Sequence, residues 1–369
     1  MTTTINNKNK KTNVPNLRFL EFQGEWAKCT LNEVCKFHNG RAYKQTELLA
    51  AGKYRVLRVG NFFTNDSWYY SNLELEDNKY AQNGDLLYAW SASFGPRFWR
   101  EEKVIFHYHI WKIDSFKNVD KNFLYHFLDL DSAKIKNEVQ GGTMVHITKG
   151  DMEKRTISYP SVPEQRNIAR FLFLLDERIA TQNKIIEDLK KLKSAISKKL
   201  LCNDKWTTYK IQDIAEIGRG RVISSVEIDR QKHPLYPVYS SQTSNDGIMG
   251  YLDNYMFDGE YITWTTDGAN AGTVFYRKGK FNCTNVCGTL KIQPKFDCYF
   301  VSLVLQQATQ KYVSSNLANP KLMNNTMASI KIRMPNIETQ KQLSKVFQTL
   351  DSCLLVHQRT CKNLLAELI

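Results

Sequence analysis

YPSVPEQRNIARFLFLLDERI, residues 159–179, and MPNIETQKQLSKVFQTLDSCL, residues 334–354, are one segment written twice. Pro160 matches Pro335, Gln165 matches Gln340 and Asp176 matches Asp351, each pair 175 residues apart with no gap. Upstream, EWAKCTLNEVCKFHNGRAY at 25–43 aligns with KWTTYKIQDIAEIGRGRVI at 205–223. Trp26 falls on Trp206 and Gly40-Arg41 on Gly220-Arg221, at an offset of 180. GDLLYAW from Gly84 matches GEYITWT from Gly259. Matches that recur in a fixed order make the chain two copies of one unit. One copy runs from about Leu17 to Leu201, the other from about Asn203 to Ile369.

Each copy ends in a helix. No Pro or Gly interrupts Glu164–Leu201. Pro163 followed by Glu164 suits a first turn, since Pro there sacrifices no bonded N–H and an acid faces the positive end of the dipole. Apolar residues recur at 4-3 spacing: Ile168, Leu175, Gln182, Leu189 and Ile196 on one heptad position, Leu172, Ile179, Ile186, Lys193 and Leu200 on the other. That narrow stripe is a coiled-coil seam rather than a broad core face. The second copy supplies Leu343, Leu350, His357 and Leu364, with Phe347, Leu354, Cys361 and Leu368. Each seam is polar at the matching place, Gln182 and His357. Such a residue fixes register at some cost in stability, or else marks a solvated gap. A helix of about 38 residues reaches roughly 57 Å. Two of them in one chain satisfy both seams by packing antiparallel, with a globule at either end and an approximate two-fold between the copies.

The globular parts read as β. Tyr54–Val59, Asp85–Trp90, Lys103–Phe106, Tyr261–Trp264 and Gly272–Tyr276 are short, β-branched or aromatic, and separated by Gly, Asn and Asp. Short helices fit at Lys121–Asp131 and Phe300–Ser314. The fold class expected is α+β: two β-rich modules, 17–162 and 203–334, with spacer helices at 163–202 and 335–369.

Lys and Arg outnumber Asp and Glu by 51 to 37, giving a formal charge of +14. A surplus of that size suits a polyanion, because each neutralised phosphate releases condensed counterions. No stretch approaches the ~18 apolar residues of a membrane span. The polar, basic residues 1–16 carry no signal-peptide core and read as a disordered arm. Eight cysteines have no framework of spacings, as reduced thiols in a cytoplasm would. Cys283 and Cys287 lie four apart with no second pair, so they read as ordinary thiols rather than zinc ligands.

The layout resembles the specificity subunit of type I restriction-modification enzymes over nearly the whole chain. The resemblance is carried by VPNLRFLEFQGEW (14–26), GDLLYAW and its copy, GGTMVHITKGDMEKRTISYPSVPEQ (141–165), VYSSQTSNDGIMGYL (238–252) and TDGANAGTVFY (266–276). The twice-written Pro-x-x-Glu-Gln-like junction before a long helix is its most specific element. It implies two target-recognition domains that each read half of a split, asymmetric site in double-stranded DNA, and helices that set the gap between the halves. It also implies docking of two methyltransferase subunits, with restriction-translocase subunits joining them. S-adenosylmethionine, ATP and Mg²⁺ would belong to those partners, and this chain would need no cofactor. The second helix stops about seven residues short of the first, which would trim one docking surface.

Base edges are read by Arg, Lys, Asn, Gln, Ser or Thr on loops and strand ends, while phosphates are gripped by Lys, Arg and small hydroxyls. In the first module those types gather at Arg41 and Lys44, at Ser91, Ser93 and Arg97, and at Thr143, His146 and Lys149. In the second they are Arg219, Arg221, Ser241, Gln242, Thr265, Asn270, Asn319, Lys321 and Asn324. Each also fits an ordinary solvated loop. The Gly-rich TDGANAG suits close approach to a backbone or a tight turn. Trp90, Trp99 and Trp264 read as core. No phosphate-binding loop and no Asp/Asn-Pro-Pro-aromatic methyltransferase motif occurs. Asp85, Glu101 and Lys103 form only a loose match to a metal-dependent nuclease, with no counterpart in the second copy. His107 and His109 alternate along an expected strand and would share a face; no third metal ligand accompanies them. A stand-alone DNA-binding or regulatory protein on the same scaffold is the other reading.

Overall fold

The structure, a computed structural model, describes residues 13–367 except 16, 64, 92–93, 117, 139–145, 202 and 315–318. The chain divides into two compact units, Met1–Arg178 and Ile179–Ile369. Of the arm expected at 1–16, all but Asn13, Val14 and Pro15 lies outside the described residues.

In the first unit, strand β1 (Ala27–Thr30) pairs antiparallel with β10 (Thr156–Tyr159), closing the module immediately before its long helix. Between them lie β2 (Cys35–Asn39), β3 (Tyr54–Leu57), β4 (Tyr69–Ser71), β5 (Tyr80–Ala81), β6 (Leu86–Ala89), β7 (Gly95–Phe98), β8 (Val104–Phe106) and β9 (Ile110–Ser115). They form two four-stranded sheets, ordered β2-β9-β6-β7 and β4-β3-β8-β5. The strands at Leu86–Ala89 and Val104–Phe106 are buried on both faces, which is why the sequence there is a continuous apolar run. Trp111, Tyr88, Phe37 and Leu86 anchor the main core, and the helix Lys121–Glu138 packs Phe123, Leu124 and Leu128 onto it.

The second unit repeats the plan. β11 (Thr207–Lys210) pairs with β18 (Lys331–Met334). β12 (Ala215–Arg219), β13 (Tyr236–Tyr239), β14 (Ile248–Leu252), β15 (Phe257–Thr265), β16 (Val274–Cys283) and β17 (Cys287–Ile292) join as β12-β17-β15-β16-β13-β14. β16 runs unbroken where the first module uses β7 and β8, so two sheets become one. The exchange extends to side chains. Tyr88 faces Trp111 across the first sheet. At the matching place Trp264 faces Gly288, where an added Cβ would lie 2.2 Å from the indole. The indole thus sits on β15 in place of Tyr88, and Gly288 stands where Trp111 does, because only Gly leaves room for it. The helix Cys298–Ala308, followed by a 3₁₀ turn at Thr309–Tyr312, corresponds to the helix of the first module.

The first long helix spans Val162–Leu200 and the second Ile337–Glu367. The matched glutamines explain the repeated junction. Gln165 is fully buried. It accepts the Asp120 N–H at 2.7 Å and donates to the carbonyls of Pro160 (2.8 Å) and Asn118 (3.0 Å). Gln340 accepts the Asp297 N–H at 3.0 Å and donates to Pro335 at 2.8 Å. Each glutamine thus ties the first turn of a long helix to the start of its module's own helix, where Asp120 and Asp297 cap through their carboxylates.

Within the second unit the two long helices are antiparallel. Gln182 meets His357 and Lys193 meets Asp351, so one helix advances as the other retreats. The polar seam positions face each other, Gln182 Oε1 lying 2.7 Å from His357 Nδ1. Phe347, Leu354, Cys361 and Leu364 are buried, and Leu343 and Leu350 are half-buried. On the first helix Leu175 is buried, while Ile168, Leu172, Ile179, Ile186 and Leu189 are half-buried. A seam of this width leaves Leu174, Leu192, Leu355 and Val356 exposed. No helix among the described residues is long and apolar enough to cross a membrane.

Candidate nucleic-acid interface

Each module presents polar groups where β2, β6 and β9, or their counterparts β12, β15 and β17, give way to loops. The chain reaches this edge through the matched Gly-Arg pairs. A Cβ on Gly40 would lie 2.2 Å from the His107 carbonyl oxygen, and one on Gly220 would lie 2.1 Å from that of Cys283. Only Gly allows these backbones to meet. The next residue then bridges in parallel, Arg41 to His107 and Arg221 to Thr284. Arg41 Nη2 reaches Glu47 at 2.7 Å, and Arg221 Nη1 reaches Glu227 at 2.9 Å. Both arginines therefore brace their own loops, each to a Glu six residues on. Arg41 Nη1 is buried with no partner among the described residues.

In the first module, a cleft of about 390 Å³ gathers Asn39, Gly40, Trp90, Tyr108, His146 and Lys149. Trp90 and Tyr88 each stack with Trp111, with ring centroids 5.8 Å away in each case. Trp90 donates to the Tyr108 carbonyl at 2.8 Å, leaving the Tyr108 ring exposed. His146 is exposed 6.1 Å from the Trp90 ring, and its backbone bridges Ser91. Lys149 opens the short helix Lys149–Lys154 and pairs loosely with Glu153 at 3.5 Å. Lys44 is exposed. Arg97 lies apart from this cleft on β7, over the rings of Phe62 and Phe63. Ser91 is buried, so its hydroxyl does not face a groove. Ser93 and Thr143 lie outside the described residues.

His107 and His109 sit in the turn between β8 and β9 rather than along a strand, correcting the expectation that they alternate on one face. Their rings are 4.9 Å apart. Burial, His109 and Arg58 push the His107 imidazole down to about 4. Burial and neighbouring His146 lower that of His109. These rings are neutral at physiological pH and act through hydrogen bonds and ring contacts. No cluster of three or more potential metal ligands occurs among the described residues.

The second module carries charge where the first carries rings. Arg219 donates to the Asn285 carbonyl (2.6 Å), Thr266 Oγ1 (2.8 Å) and Asp267 (3.2 Å). Lys321, which occupies the repeat position of His146, approaches the same carboxylate at 3.6 Å. Asn319 is exposed beside this network, and Asn324 donates to the Gly218 carbonyl at 3.3 Å. Asn270, in the Gly-rich turn, donates to the Ser241 carbonyl at 3.2 Å, so that turn is tied to the loop bearing Ser241 and Gln242. Gln242 in turn bonds the Ile248 carbonyl. Thr265 is buried, its hydroxyl without a partner among the described residues, and so does not face solvent.

Sequence reasoning missed the residue that organises this loop. Arg277 is only 3% exposed. It lies 3.6 Å over the Tyr239 ring and holds the Asp246 carboxylate (2.7 Å) and carbonyl (2.8 Å). Asn245 and Asp246 adopt left-handed backbone, φ 48° and 54°, a conformation that needs such outside support. Its strand also carries Lys278 and Lys280, so nothing in the sequence set Arg277 apart from solvated charges. Asp267 and Tyr108 were also missed.

The nuclease constellation does not assemble. Asp85 pairs with Lys112 at 2.9 Å, Glu101 pairs with Arg55 at 2.9 Å, and Lys103 lies over the Tyr80 ring. Burial pushes the Cys35 and Cys298 thiols up to about 12 and that of Cys287 to about 11, far from a reactive thiolate.

The family model of the type I restriction modification DNA specificity domain matches this chain twice, at residues 23–191 and 203–366. Among similar proteins of Mycoplasma pneumoniae, the type I specificity subunit S.MpnORF201P is 38% identical over 53% of this chain and 82% of its own length. The specificity subunit of type I restriction enzyme MpnII is 40% identical over 44% of this chain and 47% of its own. The crystal structure of a type I restriction-modification S subunit from M. genitalium shares the fold, with a TM-score of 0.68 at 18% identity over 94% of this chain and 95% of that one. The chain belongs to the type I restriction-modification specificity family, the subunits that supply DNA sequence recognition.

Proposed function

We propose that this chain reads a bipartite, asymmetric site in double-stranded DNA, one half per module, and delivers partner methyltransferase and restriction-translocase subunits to it without catalysis of its own. The carrying observation is that one scaffold is used twice with different chemistry at the same edge. The rings of Trp90, Tyr108 and His146 line it in the first module, and an Arg219–Asp267–Lys321 network lines it in the second. Different edge chemistry selects different bases, so unlike half-sites follow. The antiparallel long helices act as the spacer, and their exposed apolar residues offer surface to two methyltransferase subunits. In this reading S-adenosylmethionine and ATP with Mg²⁺ belong on those partners, and the assembly works in the cytoplasm with its DNA. Dispersal of Asp85, Glu101 and Lys103 into separate pairs weighs against a nuclease.

The test is to express the chain with its genomic neighbours and map methylated adenines in host DNA. One split motif that vanishes when this chain is deleted supports the reading. A chain that purifies alone, binds no duplex at moderate salt and leaves methylation unchanged overturns it.

A further inference from the structure

The only two non-glycine residues with left-handed backbone among the described residues lie side by side, Asn245 and Asp246. They form the tip of the loop Ser240–Gly247, between β13 and β14. The stem of this loop is closed: the Ser240 N–H donates to the Gly247 carbonyl at 2.9 Å, and Gln242 donates to the Ile248 carbonyl. The buried Arg277 holds the tip through the Asp246 carboxylate and carbonyl, while its Nε donates to Thr263 at 3.3 Å. A buried guanidinium is costly unless it is bonded, and consecutive left-handed residues are strained without outside support. A connection between two antiparallel strands requires neither, since Gly alone can turn the chain.

The loop lies on the polar edge of the second module. The Tyr239 carbonyl, at its base, accepts the Thr284 N–H at 2.9 Å, and the next residue, Asn285, gives its carbonyl to Arg219. Thr243, Ser244 and Asn245 are exposed, and their side chains make no hydrogen bond among the described residues. The first module uses the matching loop differently. There β3 enters it in parallel with β8, as β13 does with β16. Asn61 donates to the Asn65 and Ser67 carbonyls at 2.8 and 2.7 Å and accepts from Arg58 at 3.3 Å. That amide is consumed within its own loop, whereas Asn245 combines a fixed backbone with an uncommitted amide.

We propose that Asn245 reads an adenine of the second half-site through a bidentate pair, and that Arg277 is the positioning residue that presents it. An Asn amide offers donor and acceptor side by side, which matches adenine N7 and N6 in the major groove. Both atoms must be aimed at once, so a loop fixed beforehand discriminates better than a free one. Ser241 and Gln242, whose types suggested reading from sequence, are half-buried in the stem. The inference rests on the DNA-reading function proposed above and assigns one base pair of it to one side chain.

The test maps methylated adenines in cells that express the full chain, wild type or variant, with its methyltransferase partner. Asn245→Gly removes the amide and suits the left-handed backbone. One A·T pair of the second half should become degenerate, with methylation of sites carrying another base there rising about tenfold or more, while the first half is unchanged. Asn245→Asp keeps size and backbone preference but exchanges the donor for an acceptor. It should move the preference at that pair from adenine towards cytosine, whose N4 donates. Arg277→Met should relax the same pair, and Arg277→Lys, which can still meet Asp246, should relax it less. If Arg277→Met does not fold, the two Asn245 variants decide. A split motif that Asn245→Gly leaves unchanged overturns the inference and leaves the split-site reading standing. So does a second half blurred by Arg277→Met at pairs that Asn245→Gly does not touch. A wild-type chain that directs no split motif overturns both.

Discussion

Replacing Gln340 with Leu isolates the interaction that joins a module to its helix. The two side chains have similar volume, so packing changes little and the loss is polar. The Asp297 N–H loses its acceptor at 3.0 Å, and the Pro335 carbonyl loses its donor at 2.8 Å. The site is 1% exposed, so water does not replace either partner. A buried backbone group left unpaired costs about 1–3 kcal/mol, and hydrophobic gain from Leu offsets about 1 kcal/mol. The net loss is therefore roughly 3 kcal/mol. In a unit of nearly 200 residues, each kcal/mol moves Tm by about 2–4 °C, giving a drop of roughly 6–12 °C. Scanning calorimetry, which resolves two units unfolding separately, should show that drop in one transition only. Gln165→Leu should shift the other transition further, because Gln165 makes three bonds where Gln340 makes two. A change below about 0.5 kcal/mol in both variants, or equal shifts in both transitions from either one, refutes the junction argument.

Gln182→Leu alone should destabilise the second unit, leaving His357 Nδ1 facing an apolar side chain across 2.7 Å of lost hydrogen bond. The double variant Gln182→Leu, His357→Leu should recover that loss, with a coupling of about 1 kcal/mol in a double-mutant cycle of urea midpoints. His107 titrates near 4 when folded and near 6.5 when unfolded, so the unfolded state binds the proton first. The first unit should accordingly lose stability as pH falls from about 6.5 towards 4, and His107→Gln should flatten that dependence in urea melts at pH 7.5 and 5. Lys44→Ala should weaken binding to duplexes of any sequence and lower the log–log salt slope by about 1, which fluorescence titration at several salt concentrations checks.

Periodicity and repetition carried the architecture. The antiparallel pairing of the long helices was legible because a heptad stripe has one geometric meaning and a repeat fixes which positions correspond; the polar match of Gln182 and His357 was visible too, but not that the two side chains meet. Strand segments were legible from their apolar runs. The division of labour at the edge was not. Arg41 and Arg221 have the residue type of a base reader, yet each turns back to a glutamate six residues on. Ser91 and Thr265 have the type and lie buried. Side-chain type says what a residue can bond, whereas the outcome depends on which partner tertiary packing brings first. His107 and His109 failed differently: an alternation read as strand is a turn, because β8 ends at Phe106 where Arg41 pairs with His107. Arg277 was invisible because a buried charge depends on partners 14 and 31 residues away, Thr263 and Asp246.

The central claim is that each module reads its own half of one split site. The direct measurement is the adenine methylation motif of a strain whose chain carries residues 23–159 in place of 203–334, expressed with its methyltransferase partner. Two identical modules on antiparallel spacer helices should read an inverted repeat of the first half-site. The account predicts that palindromic motif, with the original second half gone. An unchanged motif, or an altered first half, would contradict it.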